Sequence, residues 1–174
     1  RVEGVGDGDL VAIFTGTHGV ANGVDAALSA AQVLKKRGRA DIKLCFIGSG
    51  KLKPDLIKYA HKWGLDNCLF IDQVPKRELA EYLKGADIGM QLLKNIPAFY
   101  YGTSPNKFFD YIASGLPVLT NYPGWIEGMI EKNNCGIVVP PDDPVAFADA
   151  LEYAADDRTE LIKMGKNARV LAEQ

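Results

Sequence analysis

A doubly wound α/β fold, a parallel sheet of about six strands with helices on both faces, is the architecture this sequence predicts, and three observations carry it. Short apolar runs alternate with amphipathic stretches along the chain. The runs are nearly continuous in Val, Ile, Leu and Phe, as strands read when helices cover both faces of a sheet. The connections are short, with no internal repeat, low-complexity tract or Pro/Ser linker.

The first strand falls at 10–14. Val24, Ala27, Leu28, Ala31 and Leu34 then follow helical spacing, the basic turn Lys35, Lys36 and Arg37 suits a helix end, and Gly38 stops it. A second strand at 42–47 leads through Gly48-Ser49-Gly50 to a helix at 54–63 opened by Pro54, with His61 at its end and Trp63 expected in the core. Strands at 68–71 and 87–92 flank a helix at 76–83. A helix at 105–113 begins at Pro105, strands follow at 117–119 and 137–139, and helices at 144–155 and 159–171 close the chain.

The 174 residues, 47% hydrophobic and 24% charged, fit one domain over 10–174, with the Gly/Asp-rich stretch 1–9 as a lead-in from another domain. A net charge of −2 supplies no basic footprint for a phosphate backbone, so nucleic acid is not an expected partner. Cys45, Cys68 and Cys135 lie far apart, at least two of them in apolar runs, and read as buried thiols in a reducing, cytoplasmic setting. No stretch approaches the roughly 18 apolar residues of a membrane span.

In this fold the ligand belongs at the carboxyl ends of the strands. The loop after the first strand carries Gly16, Thr17, His18, Gly19, Asn22 and Gly23, and its glycines can turn sharply and expose N–H groups to an anion, though an ordinary turn reads the same way. It is neither the dinucleotide fingerprint nor a P-loop. His18 could touch phosphate or sugar, or be a solvated turn residue. Lys51 and Lys53, after the second glycine turn, read as surface charge. The strongest signal is Gly102-Thr103-Ser104-Pro105-Asn106-Lys107-Phe108-Phe109-Asp110. Ser104 suits an N-cap and Pro105 the first helical position, so the N–H groups of Asn106 and Lys107 and the Lys107 ammonium can hold a diphosphate without metal. Asp110, a turn further on, can accept from a vicinal diol. Phe99, Tyr100 and Tyr101 could wall a sugar or simply pack, and Trp125 is expected at the surface.

Four segments resemble the C-terminal domain of the GT-B glycosyltransferases of the large retaining family 4. They are Phe46-Ile47-Gly48-Ser49-Gly50 through Val74-Pro75-Lys76-Arg77-Glu78-Leu79; Ala86-Asp87-Ile88-Gly89; Ser114-Gly115-Leu116-Pro117-Val118-Leu119-Thr120; and Gly124-Trp125-Ile126-Glu127 with Gly136-Ile137-Val138-Val139-Pro140. The resemblance implies a Rossmann-like half that binds a nucleotide-sugar donor, with Val74 beside the base and Asp110 on the ribose. The family's first glutamate is replaced by Gly102, as in a subset of polysaccharide-assembly enzymes that often use N-acetylated amino sugars, which favours UDP. The family's usual lysine before Gly23-Val24-Asp25 is Asn22 here, so Lys107, as the catalytic cation, and the loop at Gly16 to Gly19 carry the diphosphate. The acceptor-binding domain is expected to precede this segment, leaving the chain alone inactive. In the full-length protein the domain is expected in the cytoplasm or at the inner face of the cell membrane, membrane contact coming through the acceptor or the other half. The alternative is a non-catalytic nucleotide-binding module.

Overall fold

The computed structural model describes residues 2–100 and 106–174. Strands β1 (Leu10–Thr15), β2 (Ile42–Ile47), β3 (Cys68–Ile71), β4 (Ile88–Gln91), β5 (Val118–Thr120) and β6 (Gly136–Val138) form one parallel sheet in the order β3-β2-β1-β4-β5-β6. Between and after them run α1 (Asp25–Lys36), α2 (Lys53–Lys62), α3 (Lys76–Lys84), α4 (Asn106–Ala113), α5 (Trp125–Asn133), α6 (Pro144–Asp156) and α7 (Arg158–Ala172). The doubly wound sheet matches the expectation, with most ends within a residue or two of the predicted ones.

The apolar runs are explained by burial on both faces. Leu10, Ala12 and Phe14 of β1 pack with α1, α2 and α6, whereas Val11 and Ile13 pack with α3, α4, α5 and α7. A strand that alternates between two cores reads as an unbroken apolar run. Each fully buried Leu, Ile or Phe contributes about 1.5–3 kcal/mol, which makes the two layers the main source of stability. All three cysteines are buried free thiols, and burial pushes Cys45 and Cys68 up to about 12.

Two local expectations are corrected. Helix α5 is not foreshadowed by the sequence pattern, because Gly124 and Gly128 weaken the helical signal. It forms because Ile126 and Ile130 bury one face, while the Glu127 carboxylate accepts from the Gly124 N–H at 3.3 Å. Trp63 is 45% exposed, its ring against Tyr59 and under the Lys62 ammonium, not in the core. The stretch before β1 is docked, since Val2 and Val5 pack against the second layer.

Past Ile13 the sheet opens. The β1–β4 pairing is confined to Ala12↔Ile88 and Ile13↔Gly89, so the two strands part toward their carboxyl ends. This is the topological switch point, where a crevice forms between connections that leave in opposite directions.

Candidate functional site

The crevice is built by three loops and one helix. The loop after β1 is stitched to the one after β2: Gly16 N–H donates to Ile47 O at 3.0 Å, His18 N–H to Ser49 O at 2.8 Å, and Leu52 N–H to His18 O at 3.0 Å. The backbones approach so closely that a Cβ on Gly48 would lie 2.0 Å from Gly16 O, and one on Gly50 2.7 Å from the His18 backbone. The second glycine turn is therefore required by the crossing of two chains. The stitching also consumes the Gly16 and His18 N–H groups, which corrects the picture of a loop with all its amides exposed. Among the described residues the Thr17 N–H has no hydrogen-bond acceptor.

A cleft of about 180 Å³ lies where these loops meet the one after β3, lined by Gly16, Thr17, Gly48, Ser49, Gln73 and Val74 among others. The expected residues Gly16, Thr17, Gly48 and Val74 thus come together, although 58 positions separate the first from the last. Gly19 lies at the start of the 3-10 turn Val20–Asn22, outside that lining.

His18 is corrected most. Its imidazole is completely buried beside Phe14, Phe46 and Phe70, with neither ring nitrogen hydrogen-bonded, and it offers no face to a ligand. Burial, and then the nearby Lys53 ammonium, lower its pKa below the ordinary 6.5.

Lys107 enters from the first turn of α4. Its ammonium lies 4.7 Å over the Phe14 ring and 3.3 Å from Asn22 Oδ1, and a Cβ on Gly16 would come within 3.2 Å of its Cε. No carboxylate pairs with it among the described residues, and burial lowers its pKa to about 8. Asn22 also donates to Thr17 O at 2.6 Å, so one amide holds both the loop and the lysine. A lysine at 22 would set a second ammonium against that of Lys107. Asn106 is exposed at the helix start, and Asp110, half-buried, follows Lys107 by one turn. Gly102 and Ser104, also expected at the site, lie outside the described residues, as does Pro105.

Two contributors escape sequence reasoning. Tyr111, fully buried on α4, accepts from Thr15 N–H at 3.1 Å, and its hydroxyl lies 3.1 Å from Met90 O, filling the gap where β1 and β4 part. Its ring lies so close to β4 that a Cβ on Gly89 would sit 2.5 Å away. The lone glycine inside Ile88-Gly89-Met90 was the available signal. Lys53, expected on the surface, is buried and donates to Gly48 O at 2.7 Å, Ile71 O at 3.0 Å and Asp72 Oδ1 at 3.0 Å. Of the aromatic trio, Tyr100 stacks on Tyr122 at 6.0 Å and is packing. Trp125 is 40% exposed beside Phe109. Among the described residues no three His, Cys, Asp or Glu side chains are grouped to hold a metal, and no helix is long and apolar enough to cross a membrane.

This architecture has well-defined relatives. The chain is 27% identical over 161 residues to an alpha-D-kanosaminyltransferase of Streptomyces kanamyceticus, covering 92% of this chain and 40% of that protein. It is 27% identical over 169 residues to a probable glycosyltransferase, WbjE, of Pseudomonas aeruginosa, covering 96% and 40%. It therefore spans about two fifths of the length of these relatives. Among solved structures, WaaG, a glycosyltransferase involved in lipopolysaccharide biosynthesis, superposes with a TM-score of 0.80 at 21% identity over 98% of this chain and 44% of that one. The Anabaena Alr3699/HepE complex with UDP gives 0.76 at 15% identity over 96% and 44%. These likenesses establish the GT-B donor-domain fold. The family model for glycosyl transferases group 1 matches residues 1–171, and the chain belongs to that family.

Proposed function

We propose that this chain is the donor half of a retaining glycosyltransferase, holding a UDP-sugar, with an N-acetylated amino sugar favoured, in the crevice between β1 and β4. The observation that carries the reading is Lys107, a largely buried ammonium at the switch point with a neutral amide and a ring for neighbours. A diphosphate would give that cation the anionic partner it lacks. Negative charge on the leaving phosphate grows as the glycosidic bond breaks, so Lys107 and the N–H groups of Thr17 and Asn106 act in the transition state as well as in binding. The Val74 peptide is assigned to the base and Asp110 to the ribose diol, with Gly102 and Ser104 as further substrate-binding residues. The acceptor-binding half is assigned to the remaining length that the relatives have, which leaves this chain able to bind donor and unable to transfer it. The acceptor is assigned to the class of polysaccharide or lipid-linked sugars.

Calorimetric titration with UDP, GDP and UDP-N-acetylglucosamine tests this directly. Saturable binding of UDP and its sugar, tighter than GDP and weakened by Lys107→Ala and by Asp110→Ala, is expected. Absence of binding to the folded chain sinks the donor-site reading.

A further inference from the structure

We infer that Lys53 is a positioning residue for the nucleoside end of the cleft, an inference that rests on the donor-site reading above. The local electrostatics oppose a lysine at this place. Lys53 is the first residue of α2, where the positive end of the helix dipole disfavours a cation, and its side chain is only 11% exposed. What holds it there is a set of three acceptors: Gly48 O, Ile71 O and Asp72 Oδ1. An ammonium has three protons and all three are engaged, so none is left for a ligand. The role must therefore be exerted through the groups that Lys53 holds.

Those groups are the ends of β2 and β3. The last bond that ties the two strands is Gly48 N–H to Ile71 O at 3.1 Å, and beyond it the chains separate into their loops. Lys53 spans that point, bonding the carbonyls of the same two residues, Gly48 and Ile71, and the Asp72 carboxylate one residue further on. Immediately beyond lie Ser49, Gln73 and Val74, all lining the cleft, with Ser49 Oγ 3.1 Å from Gln73 Oε1. The Asp72 side chain is fully exposed, so solvent screens its charge and the two carbonyls supply most of the fixing. Lys53 thus sets the separation between the Gly48 turn and the Val74 peptide, the width of the slot into which a base must fit. Lys107, on the far side of Gly16, holds the opposite end of the ligand, and the two lysines divide the work: one grips the diphosphate, the other shapes the place of the base.

The division is testable with Lys53→Met in the whole chain, titrated with UDP and with inorganic pyrophosphate, cooperative melting being checked alongside. UDP affinity should fall about tenfold, the scale on which small misplacements of binding groups act, while pyrophosphate affinity stays within about twofold. Lys53→Arg, which can still donate to both carbonyls, should recover part of the loss, and Asp72→Asn should change little. UDP binding unaltered by Lys53→Met, or equal weakening of UDP and pyrophosphate, overturns the inference. Should Lys53→Met not fold, Lys53→Gln, a neutral donor, carries the same comparison. If the unaltered chain binds no UDP, the donor-site reading itself falls, a result distinct from a Lys53 variant that binds normally.

Discussion

At the amino end of the sheet charges are matched with opposite charges, whereas at the carboxyl end Lys107 and Lys53 rest mainly on neutral groups. Asp87, just before β4, accepts from Val11 N–H at 2.8 Å and meets Arg158 at 3.1 Å; Arg39 is braced by Asp41 at 3.0 Å and Asp156 at 2.8 Å. Across the sheet, Lys107 rests on an amide oxygen and a phenyl ring, and Lys53 spends two of its three bonds on carbonyls. Pairing of the first kind closes a surface; holding of the second kind leaves positive potential in a crevice. A chain whose net charge is −2 thereby offers an anion a local site of the opposite sign.

Removing the cation is the severest test of this contrast. Lys107→Ala should weaken UDP by about 10–100-fold, as expected for loss of a charge-assisted contact of roughly 1.5–3 kcal/mol, while leaving the melting temperature unchanged or raised because a desolvated charge has gone. Titration calorimetry and a thermal melt read both sides. A variant that melts lower and binds UDP normally would make Lys107 a structural lysine and erase the difference between the two ends.

The same lysine has a signature without ligand. Burial lowers its pKa from 10.5 to about 8, so between those values the unfolded chain binds more protons than the folded one, and stability must rise with pH across that window. The penalty of the buried charge is fully present below pH 8 and is relieved toward 10.5, a gain of order 2 kcal/mol relative to Lys107→Met. Urea unfolding at pH 7.5 and 10 for both proteins measures it. Equal pH slopes would mean that the ammonium is solvated.

The amino end should respond in the converse way. Asp87→Ala leaves Val11 N–H without its acceptor and Arg158 with Gly8 O but no carboxylate, and should cost about 1–2 kcal/mol, the pair being partly exposed, with UDP affinity unaffected. Lost UDP binding in a stably folded Asp87→Ala chain would show that the two ends are coupled, against the separation argued here.

What the sequence made legible follows the same geography. The strands could be read because burial on both faces leaves an apolar run, and the place of Lys107 and Asp110 on α4 because a helix start has local chemistry. Lys53 and His18 could not be read, since their surroundings arise where segments some 30 residues apart cross. Gly48 and Gly50 illustrate the ambiguity: a Gly-x-Gly turn suits a phosphate, yet here both glycines make room for the backbone from Gly16 to His18. Tyr111 was hidden for a similar reason, its hydroxyl replacing strand hydrogen bonds that no pattern along α4 announces. Helix α5 was missed because two glycines mask an apolar face visible only once Ile126 and Ile130 meet the second core.

His18 gives the smallest and most local test of the contrast. It is a basic side chain of the carboxyl end whose protonation is disfavoured, first by burial and then by the Lys53 and Lys107 charges. Its folded pKa lies below 6.5, so as pH falls through 6.5 the unfolded chain takes up a proton that the folded chain resists. Stability contributed by the neutral ring is complete above that pH and is lost toward the lower folded value. His18→Leu, which keeps an apolar filling between Phe14 and Phe70, should therefore lose less melting temperature than the unaltered chain between pH 7.5 and 5.5, by a few degrees. Parallel pH profiles would show that the ring protonates in place, and a cation tolerated there without any carboxylate would mean that solvent reaches beneath the loop, removing the dry floor on which the positive crevice depends.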